Sequence, residues 1–265
     1  MERMPFGLSN APARFQKGMD RILADLPFVK VYLDDILVFS PDPETHLEHL
    51  RIVFQRLARY NLTLSAEKCA FGMPEVEYLA HVFDGEGMRP AINKVEAITK
   101  WPAPQNVVEL RSFLGLAGYY REFIPDFSDH ARPLQRILTL CKNDDPKLED
   151  TWSDEHEASF YELKAALAIL PYLAYPDFDQ PFQLCTDASD YAIGGVLEQN
   201  GRPVGYYSQA LSGSQLNWPV YEKEAYALLK SLLHFEHFIL GYPLEVICFS
   251  DHRPLSWIKK SCSPK

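Results

Sequence analysis

Two groups of carboxylates have the residue types and spacing that phosphate chemistry needs. Asp34 and Asp35 lie between two short β-branched and aromatic runs, 29–32 and 36–39, which read as a hairpin. Two adjacent carboxylates at such a tip can hold Mg²⁺, a hard cation that takes oxygen ligands and keeps waters for a phosphate to displace. The plainer reading is that Asp-Asp is simply a good turn dipeptide. The second group is dispersed along the chain. Asp187 follows a predicted strand over 182–186, Glu224 lies in the first turns of a predicted helix over 220–238, and Asp251 follows a predicted strand over 244–250. If those two strands pair in parallel, Asp187 and Asp251 become neighbours at the carboxyl ends, and Glu224 on the crossover helix can face them. Taken singly, each is an ordinary acid: a turn residue, a helix N-terminal acid and a helix cap.

Other side chains carry less. His46 and His49 are three apart on a predicted amphipathic helix, as are His234 and His237 further on, and neither pair has an evident Cys or carboxylate partner. Tyr119, Tyr120 and Arg121 suit nucleic-acid contact or core packing equally. Lys259 and Lys260 are too few to form a basic patch.

The elements that must position these groups are legible in outline. Ser9-Asn10-Ala11-Pro12 reads as a helix start, followed by Phe15, Met19 and Ile22 at helical spacing. Thr45 and Glu48 suggest a capping box before a helix with Leu47, Leu50, Phe54 and Leu57 on one stripe. A hairpin is expected over 76–82. Helices are expected over 107–120, with Leu110, Phe113, Leu114 and Ala117 on one face, and over 133–140. Strands over 193–199 and 203–208 meet at Asn200-Gly201, a type I′ turn signal. The helix over 220–238 offers Leu228, Leu229, Leu232 and Phe235 to a core.

The chain of 265 residues has a prior of about two domains. Its 26 Lys and Arg against 36 Asp and Glu give a net charge of −10, which by itself counts against binding nucleic acid. Residues 146–265 carry most of that excess, with 9 basic and 16 acidic residues. No apolar run reaches the ~20 residues that span a bilayer, and the first residues lack the apolar stretch of a secretory signal. Five cysteines without a C-x-x-C pair argue against a zinc site or disulfide scaffold and suit a reducing compartment. The expectation is an intracellular protein, cytoplasmic or nuclear, that is neither secreted nor membrane-bound.

Longer motifs give the carboxylates a context. Met4-Pro5-Phe6-Gly7-Leu8-Ser9-Asn10-Ala11-Pro12, Phe15-Gln16 and Tyr32-Leu33-Asp34-Asp35 closely resemble the palm of reverse transcriptases from gypsy-type LTR retrotransposons. The likeness continues through Lys68-Cys69-Ala70-Phe71, Val76-Glu77-Tyr78-Leu79-Ala80-His81, Leu110-Arg111-Ser112-Phe113-Leu114-Gly115-Leu116 and Tyr119-Tyr120-Arg121. At position 80 the family usually has Gly. Phe182 to Asp187, Asn217-Trp218-Pro219 with Tyr221-Glu222-Lys223-Glu224, and Phe249-Ser250-Asp251-His252 resemble the RNase H domain that follows the polymerase in that family.

The resemblance implies an α+β protein: a partial polymerase palm (antiparallel sheet with helices) over 1–91, a helical thumb or connection over 92–145, and a C-terminally truncated RNase H-like mixed α/β domain over 146–265. It implies RNA-directed DNA polymerase and ribonuclease H chemistry. Asp34 would be the principal polymerase metal ligand, with Asp35 the neighbouring acid. Phe6, Gly7, Ser9, Asn10 and Gln16 would face the incoming nucleotide and template, although Gln16 also suits a solvated helix face. Asp187, Glu224 and Asp251 would bind the nuclease metals, with Glu222 as the alternative to Glu224. The implied cofactor is Mg²⁺, or Mn²⁺ in its place. The implied partners are an RNA template, a DNA primer, an RNA–DNA hybrid, dNTPs and the rest of a Pol polyprotein. The family's third palm acid lies upstream of Pro5-Phe6-Gly7 and its fourth nuclease ligand beyond residue 265, so primer extension by this chain alone is not expected. A catalytically inactive relic or domesticated fragment that binds nucleic acid or serves as a structural module is the competing reading.

Overall fold

The computed structural model describes residues 8–141, 148–169 and 172–251. The chain divides into two compact units, Met1–Leu79 and Ala80–Lys265.

The first unit is built from α1 (Ala11–Leu23), β1 (Val29–Tyr32), β2 (Asp35–Val38), α2 (Pro43–Arg59) and β3 (Val76–Tyr78). Pro12 at the start of α1 loses no hydrogen bond there, because the first turn's N–H groups have no intrahelical acceptor. Asn10 occupies the N-cap position, yet its side chain makes no capping bond. Met19, Ile22 and Leu23 of α1 pack with Leu26, Val29, Val53 and Leu57, while Phe15 faces outward. The predicted stripe on α2 is corrected in the same way: Leu47 and Phe54 are exposed, and Val53 with Leu57 forms the inward face. The capping box is also corrected. Asp42 is the cap, its carboxylate accepting from the Thr45 N–H at 2.8 Å, because Pro43 at the first helical position starts the helix earlier than Thr45 allows.

The second unit begins with β4 (His81–Phe83) and β5 (Met88–Pro90), an antiparallel pair, and continues through α3 (Ile92–Thr99), α4 (Val107–Tyr119), α5 (Phe127–Leu140), α6 (Leu148–Thr151) and α7 (Asp154–Ala168). Leu110, Phe113, Leu114 and Ala117 of α4 are all buried, as their spacing predicts. They share one core with Ala131, Leu134 and Ile137 of α5 and Phe160, Leu163 and Leu167 of α7. Burying each large side chain there contributes about 1.5–3 kcal/mol. The α5 helix starts at Phe127 rather than at Pro133, which lies inside it. Pro133 forfeits one backbone bond there, while Ala131 and Leu134 beside it are fully buried. α7 had no counterpart in the sequence pattern. Asp154, Glu155 and Glu157, part of a strongly acidic stretch, occupy its first turn, where negative charge complements the helix dipole.

A four-stranded sheet completes the unit, in the order β8-β7-β6-β9, formed by β6 (Phe182–Ala188), β7 (Ala192–Gln199), β8 (Arg202–Ala210) and β9 (Val246–Phe249). The β6–β7 and β7–β8 pairs are antiparallel, and Asn200 and Gly201 both adopt positive φ in the tight turn between β7 and β8. The β6–β9 pair is parallel, with Phe182 opposite Val246 and Cys185 opposite Phe249. Between β8 and β9 runs α8 (Val220–His234), continued by the short α9 (Glu236–Ile239), so the single expected helix breaks at Phe235. Phe235 is buried against Phe182, Leu184 and Leu197, and Leu228 and Leu232 pack partly onto them, whereas Leu229 is exposed. Gly195 lets α8 approach closely: a Cβ there would sit 2.3 Å from Ser231 Oγ. Among the described residues no helix is long and apolar enough to cross a membrane.

Candidate active site

At the carboxyl ends of the parallel strands, Asp187, Glu224 and Asp251 converge. Each offers a carboxylate oxygen, and the three ligand atoms all lie within 4.8 Å of one another. Asp187 reaches the site from β6, Asp251 from just beyond β9, and Glu224 from the second turn of α8. Asp187 and Asp251 face solvent, while Glu224 is 2% exposed. Burial, then the charges of Asp251 and Asp187, push the Glu224 carboxyl up to about 7. The Ala188 N–H and the Ser250 hydroxyl, which donates at 3.4 Å, partly oppose that shift. Glu222, the alternative to Glu224, is outside the cluster and accepts from the Tyr221 hydroxyl at 2.9 Å.

Three carboxylates this close repel one another, and a hard divalent cation is the ligand that removes the repulsion. The donor set is all oxygen, which suits Mg²⁺ or Mn²⁺ and not a soft metal. Among the described residues it is the one group of three or more acids, histidines or cysteines close enough to share an ion.

The first unit places its acids differently. Leu33 and Asp34 form the two-residue turn between β1 and β2, with Tyr32 opposite Asp35 and Leu33 at φ 54°. Both acids are exposed, and among the described residues no third acid joins them. Tyr78 lies near enough to Asp35 for that charge, after burial, to raise its phenol. Gln16 is neither a free surface amide nor aimed at solvent. Its Oε1 accepts from Leu33 N–H at 2.6 Å, and its Nε2 donates to Val31 O at 3.0 Å and Asp20 Oδ1 at 2.8 Å. The amide therefore braces the turn that carries Asp34. Ser9 and Asn10 are exposed just before α1, and Phe6 and Gly7 lie outside the described residues. His46 and His49 do converge, both Nδ1 atoms reaching Ser40 Oγ at 3.0 and 2.8 Å, but among the described residues no acid or cysteine completes a ligand set there. His234 stacks on Tyr207 instead of pairing with His237 for a metal, and burial lowers its pKa.

Sequence reasoning missed the surroundings of Asp187. Asp126, in a left-handed conformation (φ 49°) at the start of α5, stands over Gly194, where a Cβ would meet its Oδ1 at 2.9 Å. Gly194 pairs with Asp187 across β6 and β7. Loss of solvent, then the charges of Asp129 and Asp187, hold the Asp126 carboxyl above its ordinary value. No local motif announces a contact between residues so distant in sequence. The positive φ at position 126 is a signal only once the backbone is known.

Residues 1–83 match the reverse transcriptase (RNA-dependent DNA polymerase) family, and residues 152–246 match the RNase H-like domain found in reverse transcriptase. The two matches follow one another along the chain in that order. Over nearly its whole length it is similar to transposon Pol polyproteins. It is 42% identical over 264 residues to the retrovirus-related Pol polyprotein from transposon 297 of Drosophila melanogaster, covering 99% of this chain and 24% of that protein. It is 37% identical to the Pol polyprotein from transposon gypsy of the same organism, over 96% of this chain and 25% of the relative. The chain therefore spans about a quarter of the length of the curated relatives it matches. Among solved structures, the foamy viral protease-reverse transcriptase dRH in complex with ds DNA is similar over 99% of this chain and 45% of that one, with a TM-score of 0.84 and 26% identity. The foamy viral protease-reverse transcriptase in complex with RNA/DNA hybrid is similar over 98% of this chain and 35% of that one, with a TM-score of 0.81. Both families use divalent metal ions, in keeping with the three-carboxylate cluster.

Proposed function

We propose that the second unit hydrolyses the RNA strand of an RNA–DNA hybrid with Mg²⁺ at Asp187, Glu224 and Asp251, and that the first unit is the Asp34-bearing part of an RNA-directed DNA polymerase palm. On this reading residues 1–91 serve the palm, 92–145 the thumb or connection, and 146–265 the nuclease. The observation that carries it is the convergence of three carboxylate oxygens within 4.8 Å at the ends of two parallel strands. Divalent cations, when bound, supply Lewis acidity toward the phosphate and activate the attacking water. The protein's own residues fix where that happens. Asp187 and Asp251 offer open, solvent-facing oxygens, while Glu224, held by Ala188 N–H and Ser250, supplies the buried third. Because its carboxyl titrates near 7, Glu224 releases a proton as the cation binds, so affinity rises with pH until that proton is gone. Nucleic acid as partner is supported by the complexes in which the similar structures were solved. Template, primer and dNTPs as ligands near Ser9, Asn10 and Asp34, and a surrounding Pol polyprotein, belong to the same reading.

The test is cleavage of an end-labelled RNA–DNA hybrid by the full chain, with and without Mg²⁺, beside Asp187→Asn. Mg²⁺-dependent cutting that drops by about 10²-fold or more in the variant is expected, since a metal ligand is lost. No cutting by the unmodified chain, or equal cutting by both, overturns the nuclease assignment.

A further inference from the structure

The loop that follows Asp187 is held residue by residue. Ser189 Oγ accepts from the N–H groups of Tyr191 (3.2 Å) and Ala192 (2.9 Å), and its own proton goes to the Asp129 carboxylate, 3.0 Å from Oδ1. A hydroxyl has one proton and two lone pairs, so this arrangement uses all of them and fixes which way the side chain points. Asp190 O accepts from Lys223 Nζ at 3.0 Å, and the Lys223 side chain is buried, 5% of the residue being exposed. The Tyr191 ring lies under the Arg132 guanidinium, 3.2 Å from its centroid. Asp129 and Arg132 are one turn apart on α5, so they present one face to the loop. Lys223 immediately precedes Glu224 on α8, and the backbone N–H of Ala188 bonds to Glu224.

We infer that Asp129, Arg132 and Lys223 are positioning residues that clamp Ser189-Asp190-Tyr191 and thereby keep Asp187 beside Glu224 and Asp251. The inference rests on the proposed metal site and names what holds that site together. Three carboxylates within 4.8 Å push apart, and Asp187, exposed like Asp251, is the second-last residue of β6, so an unheld loop would let that strand end fray and Asp187 move away. Two of the three clamp residues lie on α5, outside the RNase H-like match at 152–246. Metal affinity in the nuclease segment is therefore set partly by the helical segment before it.

The test measures Mn²⁺ binding to the full chain by electron paramagnetic resonance, with Asp187→Asn as the control for the site. Outer-shell partners of metal ligands typically change affinity by about 10–100-fold, and that is the weakening expected of the double variant Asp129→Ala with Arg132→Ala. Asp129→Asn, which keeps an acceptor for Ser189, retains binding within about threefold on the same scale. Ser189→Ala removes the contact from the loop side and weakens binding even if the α5 double variant fails to fold. Hydrogen exchange over 188–192, faster in the weakened variants, reports the loop directly. Binding by folded double and Ser189→Ala variants that equals the unmodified chain's overturns the clamp while the metal site stands. An unmodified chain that binds no more Mn²⁺ than Asp187→Asn overturns the site and the clamp together.

Discussion

In EDTA at pH 8, Glu224→Gln should make the chain more stable, although it removes a proposed ligand. The folded-state carboxyl titrates at about 7 against 4.5 for an unperturbed Glu, so burial and the two neighbouring charges disfavour its ionised form. The native state binds more protons than the unfolded state between those values. Stability therefore falls as pH rises from 4.5 through 7 and is flat above. At about 1.4 kcal/mol per pH unit the penalty is about 3 kcal/mol at most. Gln keeps an oxygen to accept from Ala188 N–H and carries no charge, so it escapes that penalty. For a unit of this size each kcal/mol moves Tm by about 2–4 °C, which gives a rise of about 5–10 °C at pH 8. The assay is calorimetric unfolding of both chains at pH 5 and pH 8, in EDTA and in Mg²⁺. At pH 5 the two should differ little, and Mg²⁺ should raise the midpoint of the unmodified chain more than that of the variant, because only the former offers all three oxygens. Equal midpoints at pH 8, or a lower one for Glu224→Gln, would refute the electrostatic reasoning.

Ser231→Ala should be neutral or stabilising by about 1 kcal/mol, since its fully buried hydroxyl has no hydrogen-bond partner among the described residues; urea unfolding reads this directly. Gln16→Leu removes both hydrogen bonds to the β1–β2 turn, at a cost of about 1–2 kcal/mol locally. The Leu33 amide should then exchange about tenfold faster, with amides of α2 unchanged as the internal control.

The nuclease-like cluster was legible because its members sit at strand ends and a helix entry, where local pattern fixes both the element and the place within it. Parallel pairing of β6 and β9 then brings Asp187 and Asp251 together without further information. The same holds for Asn200-Gly201, whose turn needs two positive φ values, and for the buried face of α4. Ala80 is instructive: it adopts φ 59°, a conformation that favours the Gly usual in the family, so the departure noted in sequence falls where Cβ carries a cost. What stayed hidden depended on contacts between distant residues. Leu47 and Phe54 fit an apolar stripe as well as Val53 does, and only the packing of α2 on α1 chooses between them. The acids of α7 have no role legible in the sequence, because their benefit comes from the dipole of a helix that the sequence pattern does not announce. Gln16 gave no sign of its turn contact, nor Asp129 of Ser189, since neither partner is near in sequence.

The parallel strand β9 also gives the site a place in time. β6, β7 and β8 are joined by tight local connections and can form early, whereas β9 must return across α8 and α9 to lie against β6, closing a loop of roughly 60 residues. Asp187 can be in place while Asp251 is still far away. Cation uptake during refolding should therefore report the docking of this last strand and lag the formation of the β6–β7–β8 meander. The ion would then act as a latch on a late step of folding, holding closed the pairing that closes the longest loop within the four-stranded sheet.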